Sequence, residues 1–182
     1  MGDLVLAGAT SGTTTLTPTA VSGTTTLTLP ATSGTVLTSA NIGSNLPAGS
    51  VLQVVSATSQ SAQATTSSAT YVTTGFSASI TPSSASNKVL VLLSALGRNG
   101  SGGAQAFYTM YRGATDLAST RSFKQLYNPS AGVLDGAIDM SILDSPSSTS
   151  SVTYTIYFKG AATTYFGLDN SMVSLTLMEI KG

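Results

Sequence analysis

The side chains able to do chemistry in this chain are few. Its 182 residues include neither histidine nor cysteine. That rules out Ser-His-Asp and Cys-His nucleophiles, zinc sites built on those ligands, and disulfides. Carboxylates remain, and Asp135, Asp139 and Asp144 lie close together in sequence. A glycosidase needs two carboxyls about 5 to 9.5 Å apart across a sugar. On one unbulged strand Asp135 and Asp139 share a face but stand roughly 13 Å apart. Acidic residues at strand ends are usually solvated turn-formers, so the expectation is a protein that is not an enzyme. Asp135, Asp139 or Asp169-Asn170 could supply oxygen ligands to calcium. No EF-hand spacing is present, and neither a metal nor another cofactor is expected. The segment Gly97 to Gly103 lacks the Lys-Ser/Thr ending of a phosphate-binding loop; it reads as a turn between strands.

Aromatic side chains offer a different chemistry. Tyr108, Tyr111, Phe123, Tyr127, Tyr154, Tyr157, Tyr165 and Phe166 all fall after residue 100. Rings stack on the apolar faces of sugars, while amides and carboxylates fix the hydroxyls. Tyr127 with Asn128, and Tyr165 with Asp169 and Asn170, are the expected glycan contacts, each group placed in a turn. Most of the other rings are expected in the core or at a subunit interface.

Short strands must position these groups. Ala9-Thr10-Ser11-Gly12 returns as Ala20-Val21-Ser22-Gly23 and as Ala31-Thr32-Ser33-Gly34, at intervals of 11 residues. Each Ser-Gly opens a Thr-rich run that favours extended backbone. One or two leucines per repeat are too few for a lone copy to be stable in water. Several chains wound together would bury Leu16, Leu27, Leu29 and Leu37 along a common axis, which points to a homotrimeric stem over residues 9–38. A disordered Thr/Ser linker is the alternative, and the spaced leucines argue against it. Leu4, Val5 and Leu6, within residues 1–8, read either as an attachment arm or as the first strand of the repeat. Residues 39–50 are dense in Gly, Asn, Pro and Ser and read as a linker.

From Val51 the strands lengthen: Val51–Val55, Tyr71–Ile80, Lys88–Leu93, Ala106–Arg112, Ser122–Tyr127, Ala137–Leu143, Val152–Phe158 and Val173–Ile180. Lys88–Leu93 is so continuously apolar that it reads as buried on both faces. No stretch keeps a helical period. The expected fold is all-β, with a β-sandwich or jelly roll over residues 51–182.

Composition narrows the setting. Charged residues are only 8%, with seven basic balancing seven acidic, against roughly 25% charged in ordinary soluble domains. A neutral surface has little attraction for nucleic acid or anionic lipid, and no apolar run reaches the ~20 residues that span a bilayer. The N-terminus does not read as a signal peptide. A protein working outside the cell would then reach it by lysis.

Several segments are similar to tailed-phage fibre proteins, notably those of marine and cyanobacterial phages. They are Ser33-Gly34-Thr35-Val36-Leu37-Thr38, Leu46-Pro47-Ala48-Gly49-Ser50-Val51-Leu52-Gln53-Val54-Val55, Ile80 to Val91, Leu143-Asp144-Ser145-Pro146 with Val152-Thr153-Tyr154, and Leu177-Met178-Glu179-Ile180. The resemblance implies a trimeric β-rich virion protein exposed to the host. Such fibres usually carry a longer N-terminal attachment domain, which suits this chain better to a short head fibre or capsid decoration. Its expected partners are itself and, through residues 1–8, capsid or tail proteins, with a host surface glycan as ligand. A capsid cement protein with no receptor role is the alternative.

Overall fold

The structure, a computed structural model, describes residues 4–7, 9–17, 23–24, 26, 31–34, 36, 38, 42–60, 63–168 and 171–182. Two compact units divide the chain, Met1–Thr38 and Ser39–Gly182.

In the first unit, β1 (Leu4–Ala7) and β2 (Thr13–Leu16) form an antiparallel pair with Leu4 opposite Leu16 and Leu6 opposite Thr14. Gly12 takes the positive φ of 81° in the connecting loop, a conformation that costs glycine nothing. Alternation puts Leu4, Leu6 and Leu16 on one face, and each stays about half exposed. Leu27, Leu29 and Leu37 lie outside the described residues.

The second unit opens with the single turn α1 (Ile42–Asn45). Strands follow in chain order: β3 (Val51–Ser59), β4 (Ala64–Thr66), β5 (Val72–Ile80), β6 (Lys88–Ser94), β7 (Leu96–Asn99), β8 (Gln105–Arg112), β9 (Thr115–Asp116) and β10 (Lys124–Tyr127). Then come β11 (Leu134–Ala137), β12 (Met140–Asp144), β13 (Val152–Gly160), β14 (Thr164–Phe166) and β15 (Val173–Ile180). One layer runs β10-β8-β13-β5, with β9 added to β8. The other is a bent layer, recorded as two sheets of matching order, β12-β6-β15-β3 and β11-β7-β14-β4. Successive long strands mostly cross between layers, giving a jelly-roll-like sandwich of antiparallel strands.

The core fills the space between the layers. Val89, Val91, Leu93, Leu175 and Leu177 come from one side, and Ile80, Tyr108, Met110, Tyr154, Ile156 and Phe158 from the other. Alternate residues of each strand supply these contacts, as a pleated strand dictates.

Four readings of the sequence need correction. Ala137–Leu143 is not one strand. It breaks where Ile138 turns wholly inward and its amide donates to the Ala95 carbonyl at 2.9 Å, which is the bend of the layer. Gly97–Gly103 is not all turn, since residues 97–99 belong to β7. Glycine is required there by packing: a Cβ on Gly97 would stand 2.6 Å from the Tyr108 hydroxyl. Ser122 and Phe123 precede β10, which begins at Lys124; Phe123 N–H still donates to the Tyr108 carbonyl of β8 at 3.0 Å, outside the regular ladder. In β6, only Val89, Val91 and Leu93 are fully buried; Leu90 and Leu92 are half-buried on the outward face.

Two buried carboxylates are held by donors. Glu179, 1% exposed, accepts from Gln53 Nε2 (2.6 Å), Asn87 Nδ2 (2.6 Å), and the Ser83 amide (2.6 Å) and hydroxyl (2.7 Å). Burial pushes its pKa up, but the bonds from Asn87, Gln53 and Ser83 together hold it below the ordinary glutamate value. Asp144 accepts from Arg112 Nη1 and from the Tyr154 hydroxyl, each at 2.7 Å. Burial first, and then the adjoining carboxylate, push the Tyr154 phenol up.

Candidate ligand-binding site

The outward face of β11-β7-β14-β4 carries a polar row set by strand register. Asp135 on β11 stands opposite Arg98 on β7, and Arg98 stands opposite Tyr165 on β14. Cross-strand partners of this kind approach to about 5 Å at Cβ. Arg98 grips Asp135 with two parallel bonds, Nε to Oδ1 at 2.5 Å and Nη2 to Oδ2 at 2.8 Å. The guanidinium carbon lies 5.7 Å from the Tyr165 ring centroid, within cation–π range. Ring, cation and carboxylate therefore form one continuous surface.

Its supports come from beneath and from the ends of the strands. The Tyr108 hydroxyl donates from the core to the Tyr165 carbonyl at 2.8 Å. Gly167 N–H donates to the Leu96 carbonyl at 2.9 Å, tying the end of β14 to β7. Ser171 closes the next turn, its hydroxyl accepting from the Leu168 amide and donating to the Leu168 carbonyl. Gln63, Leu96, Gly167 and Leu168 complete a hollow of about 350 Å³ around Tyr165, Arg98 and Asp135.

Electrostatics keep the carboxylate ionised. The hydrogen bond from Arg98 outweighs a small desolvation effect and holds Asp135 below the usual carboxylate range. The side chains of Arg98 and Asp135 are 36% and 45% exposed, so this pair adds little to stability. It is better suited to meeting a ligand. A sugar ring can lie on Tyr165 while its hydroxyls donate to the remaining lone pairs of Asp135.

The residues expected to bind glycan are divided by the fold. Tyr165 occupies the middle of β14, not a turn. Tyr127 is the last residue of β10, in the opposite layer, and is 49% exposed. Asn128 follows it and is spent on the turn: its side-chain oxygen accepts from Ser130 N–H at 3.1 Å and its carbonyl from Gly103 N–H at 2.7 Å. Neither lines the hollow around Tyr165. Asp169 and Asn170, next in sequence to Leu168, lie outside the described residues.

Arg98, Gln63, Leu96 and Leu168 were not legible as site residues. Arg98 sat inside a stretch read as a turn; Leu96 and Arg98 two apart on a strand would have placed both on one face. As for acid chemistry, Asp135 is held by Arg98 and Asp144 by Arg112. Asp139 is exposed in the break between β11 and β12. Among the described residues no three acidic side chains gather as a cation site.

A second hollow, of about 450 Å³, lies on the outward face of the other layer, among Tyr71, Phe107, Arg121, Phe123, Gln125 and Lys159. Its ring faces are already covered. Lys159 Nζ sits 4.5 Å from the Tyr71 centroid and 5.3 Å from that of Phe107. Tyr165 too carries a cation, Arg98, but of the two hollows only its own sets a carboxylate beside the ring to accept from a sugar's hydroxyls. No protein family matches this chain, and no curated protein sequence matches it either.

Proposed function

We propose that this is a non-enzymatic virion surface protein, a homotrimeric fibre or decoration whose sandwich domain attaches to glycan on a host surface. The observation that carries the binding reading is the outward-facing Tyr165–Arg98–Asp135 row, half-buried at Tyr165 and Arg98 and built on strands rather than loops. A ring beside a bidentate ion pair suits a polyol: one apolar face to stack, and charged groups to order hydroxyls. The placement on a virion is supported by the phage-fibre-like segments and by the Thr-rich repeat. The non-enzymatic reading is supported by the ion pairs that engage Asp135 with Arg98 and Asp144 with Arg112.

Attachment works here through numbers. A shallow site of one ring and one ion pair binds weakly, and several copies on one particle raise the avidity without stronger contacts. The test is binding of the full chain to an array of bacterial surface glycans. Wild type is expected to retain defined glycans, and Tyr165→Ala to lose them by at least about tenfold, a 1.4 kcal/mol change. Equal binding by Tyr165→Ala, or no glycan bound by wild type, would remove this reading. Particles that lack the protein, adsorb normally and burst more readily would put a capsid-cement role in its place.

A further inference from the structure

The outward face of β12-β6-β15-β3 is apolar where a solvent-facing sheet should be polar. Leu143, Leu90, Met178 and Val54 stand in one row across all four strands, each the register partner of the next. Leu143 and Val54 are 50% and 55% exposed, and Leu90 and Met178 are half-buried between them. The neighbouring row is Ser141, Leu92, Thr176 and Ser56, a further leucine among short hydroxyl side chains. Among the described residues of this face, Lys88 at one margin is the charged one.

The strand at its centre is the one whose sequence reads as buried on both faces. Within the chain β6 buries only one of them. An antiparallel sheet with one wet face alternates apolar with polar residues, and Lys88–Leu93 does not. The missing cover must be apolar and close-packed. A sugar is a poor fit, because the face offers no ring. An anionic membrane is a poor fit as well, because one lysine makes no basic rim. A protein surface of the same kind fits.

We propose that copies of this chain pack against one another through this face, with Leu90 and Met178 at the centre of the contact. This rests on the homo-oligomer in the function proposed above and names the surface that makes it. Three observations select a second copy over a foreign partner. The chain has zero net charge, so identical copies approach without repulsion. The face is uncharged at its centre and needs no opposite charge to complement it. The Thr-rich repeat over residues 9–38, too poor in leucine for one copy to be stable, independently calls for several copies of the same chain.

The experiment is the native mass of the full chain by light scattering, for wild type and two variants. Wild type is expected at a multiple of 18.3 kDa, about 55 kDa for three copies. The pair Leu90→Glu with Met178→Glu, and separately Val54→Glu with Leu143→Glu, should both fall to 18.3 kDa. The second pair lies on the outer strands at side chains the single chain already exposes, so it keeps its strand circular dichroism even if the first misfolds. Met178 should also oxidise faster in the Val54→Glu, Leu143→Glu protein than in wild type, with the exposed Met172 as an unchanged control. A monomeric wild type overturns both this interface and the oligomer in the proposed function. An oligomer that survives Val54→Glu with Leu143→Glu, with Met178 oxidation unchanged, overturns the interface alone. Loss of glycan binding by Tyr165→Ala in a protein of unchanged mass leaves the interface standing.

Discussion

Glu179 shows how a nearly uncharged protein tolerates a buried charge. It has no cation among its hydrogen-bond partners; Gln53, Ser83 and Asn87 surround it instead. Neutral donors aimed at a carboxylate favour its ionised form. The folded-state pKa is thereby lowered from its ordinary value of 4.5, and the sign of the pH effect follows. Stability from this group is fully present above the unfolded value and is lost as pH falls through the folded one. Glu179→Gln is expected to flatten the loss of urea resistance between about pH 5 and pH 3. Equal acid limbs in wild type and variant would clear Glu179 of this role. Glu179→Ala, which orphans several buried donors, is expected to cost about 3 kcal/mol in urea unfolding at neutral pH. At the surface the balance differs. Asp135→Asn removes an exposed ion pair and should leave urea unfolding within about 0.5 kcal/mol of wild type, so any loss of binding it causes is read without a folding correction.

At the scale of elements, the bend of one layer decides where the site lies. β6 passes into β7 across Ala95, and β11 into β12 across Ile138, at the same level of the sheet. Beyond the bend, Gly97 lets β7 close onto the Tyr108 hydroxyl, and that hydroxyl holds the Tyr165 carbonyl. Gly97→Ala is expected to lower stability by about 1 to 3 kcal/mol, the usual range for overpacking. Combined with Tyr108→Phe, which removes the clashing oxygen, the double variant should lose less than the sum of the two. Strict additivity in thermal melts would show that the hydroxyl does not set the crowding, leaving it to the Tyr108 ring carbon at 2.8 Å and Ile138 Cγ2 at 3.0 Å. In β5, Gly75 takes a φ of +79° beside the register shift opposite Thr155–Tyr157. It lets the strand bulge, while Phe76, Ala78 and Ile80 keep to the core or pack against it.

For the whole molecule, the thin supply of charge bears on the assembly proposed above. Ser and Thr hydroxyls keep a neutral surface hydrated, and the apolar face of β12-β6-β15-β3 carries charge only at its Lys88 margin to resist association. An assembly that forms only in the folded state also stabilises that state by mass action. The melting temperature of the full chain is therefore expected to rise with protein concentration, and the Val54→Glu, Leu143→Glu protein to lose that dependence. A concentration-independent melt of wild type would argue that its copies fold without one another.

Local chemistry was enough to specify an all-β chain. Alternation in Val152–Phe158 and Val173–Ile180 demands a strand with one buried face, because side chains of a pleated chain point to opposite sides in turn. The positions so assigned in β13 and β15 face the core. The missing histidine and cysteine excluded whole classes of chemistry for the same local reason: a side chain not present cannot react. Tyr165 was legible as an aromatic with binding chemistry. Its neighbours were not, because Arg98 and Asp135 are 67 and 30 residues away in sequence and meet it only through strand register. Register depends on which strands pair, and pairing depends on the packing of both layers. The tertiary structure likewise decided that Tyr127 and Tyr165 belong to opposite layers, that Ala137–Leu143 breaks at the bend, and that Leu90 faces outward. A run such as Lys88–Leu93 records that both of its faces are apolar; which face the chain itself can cover is settled only when the other strands are in place.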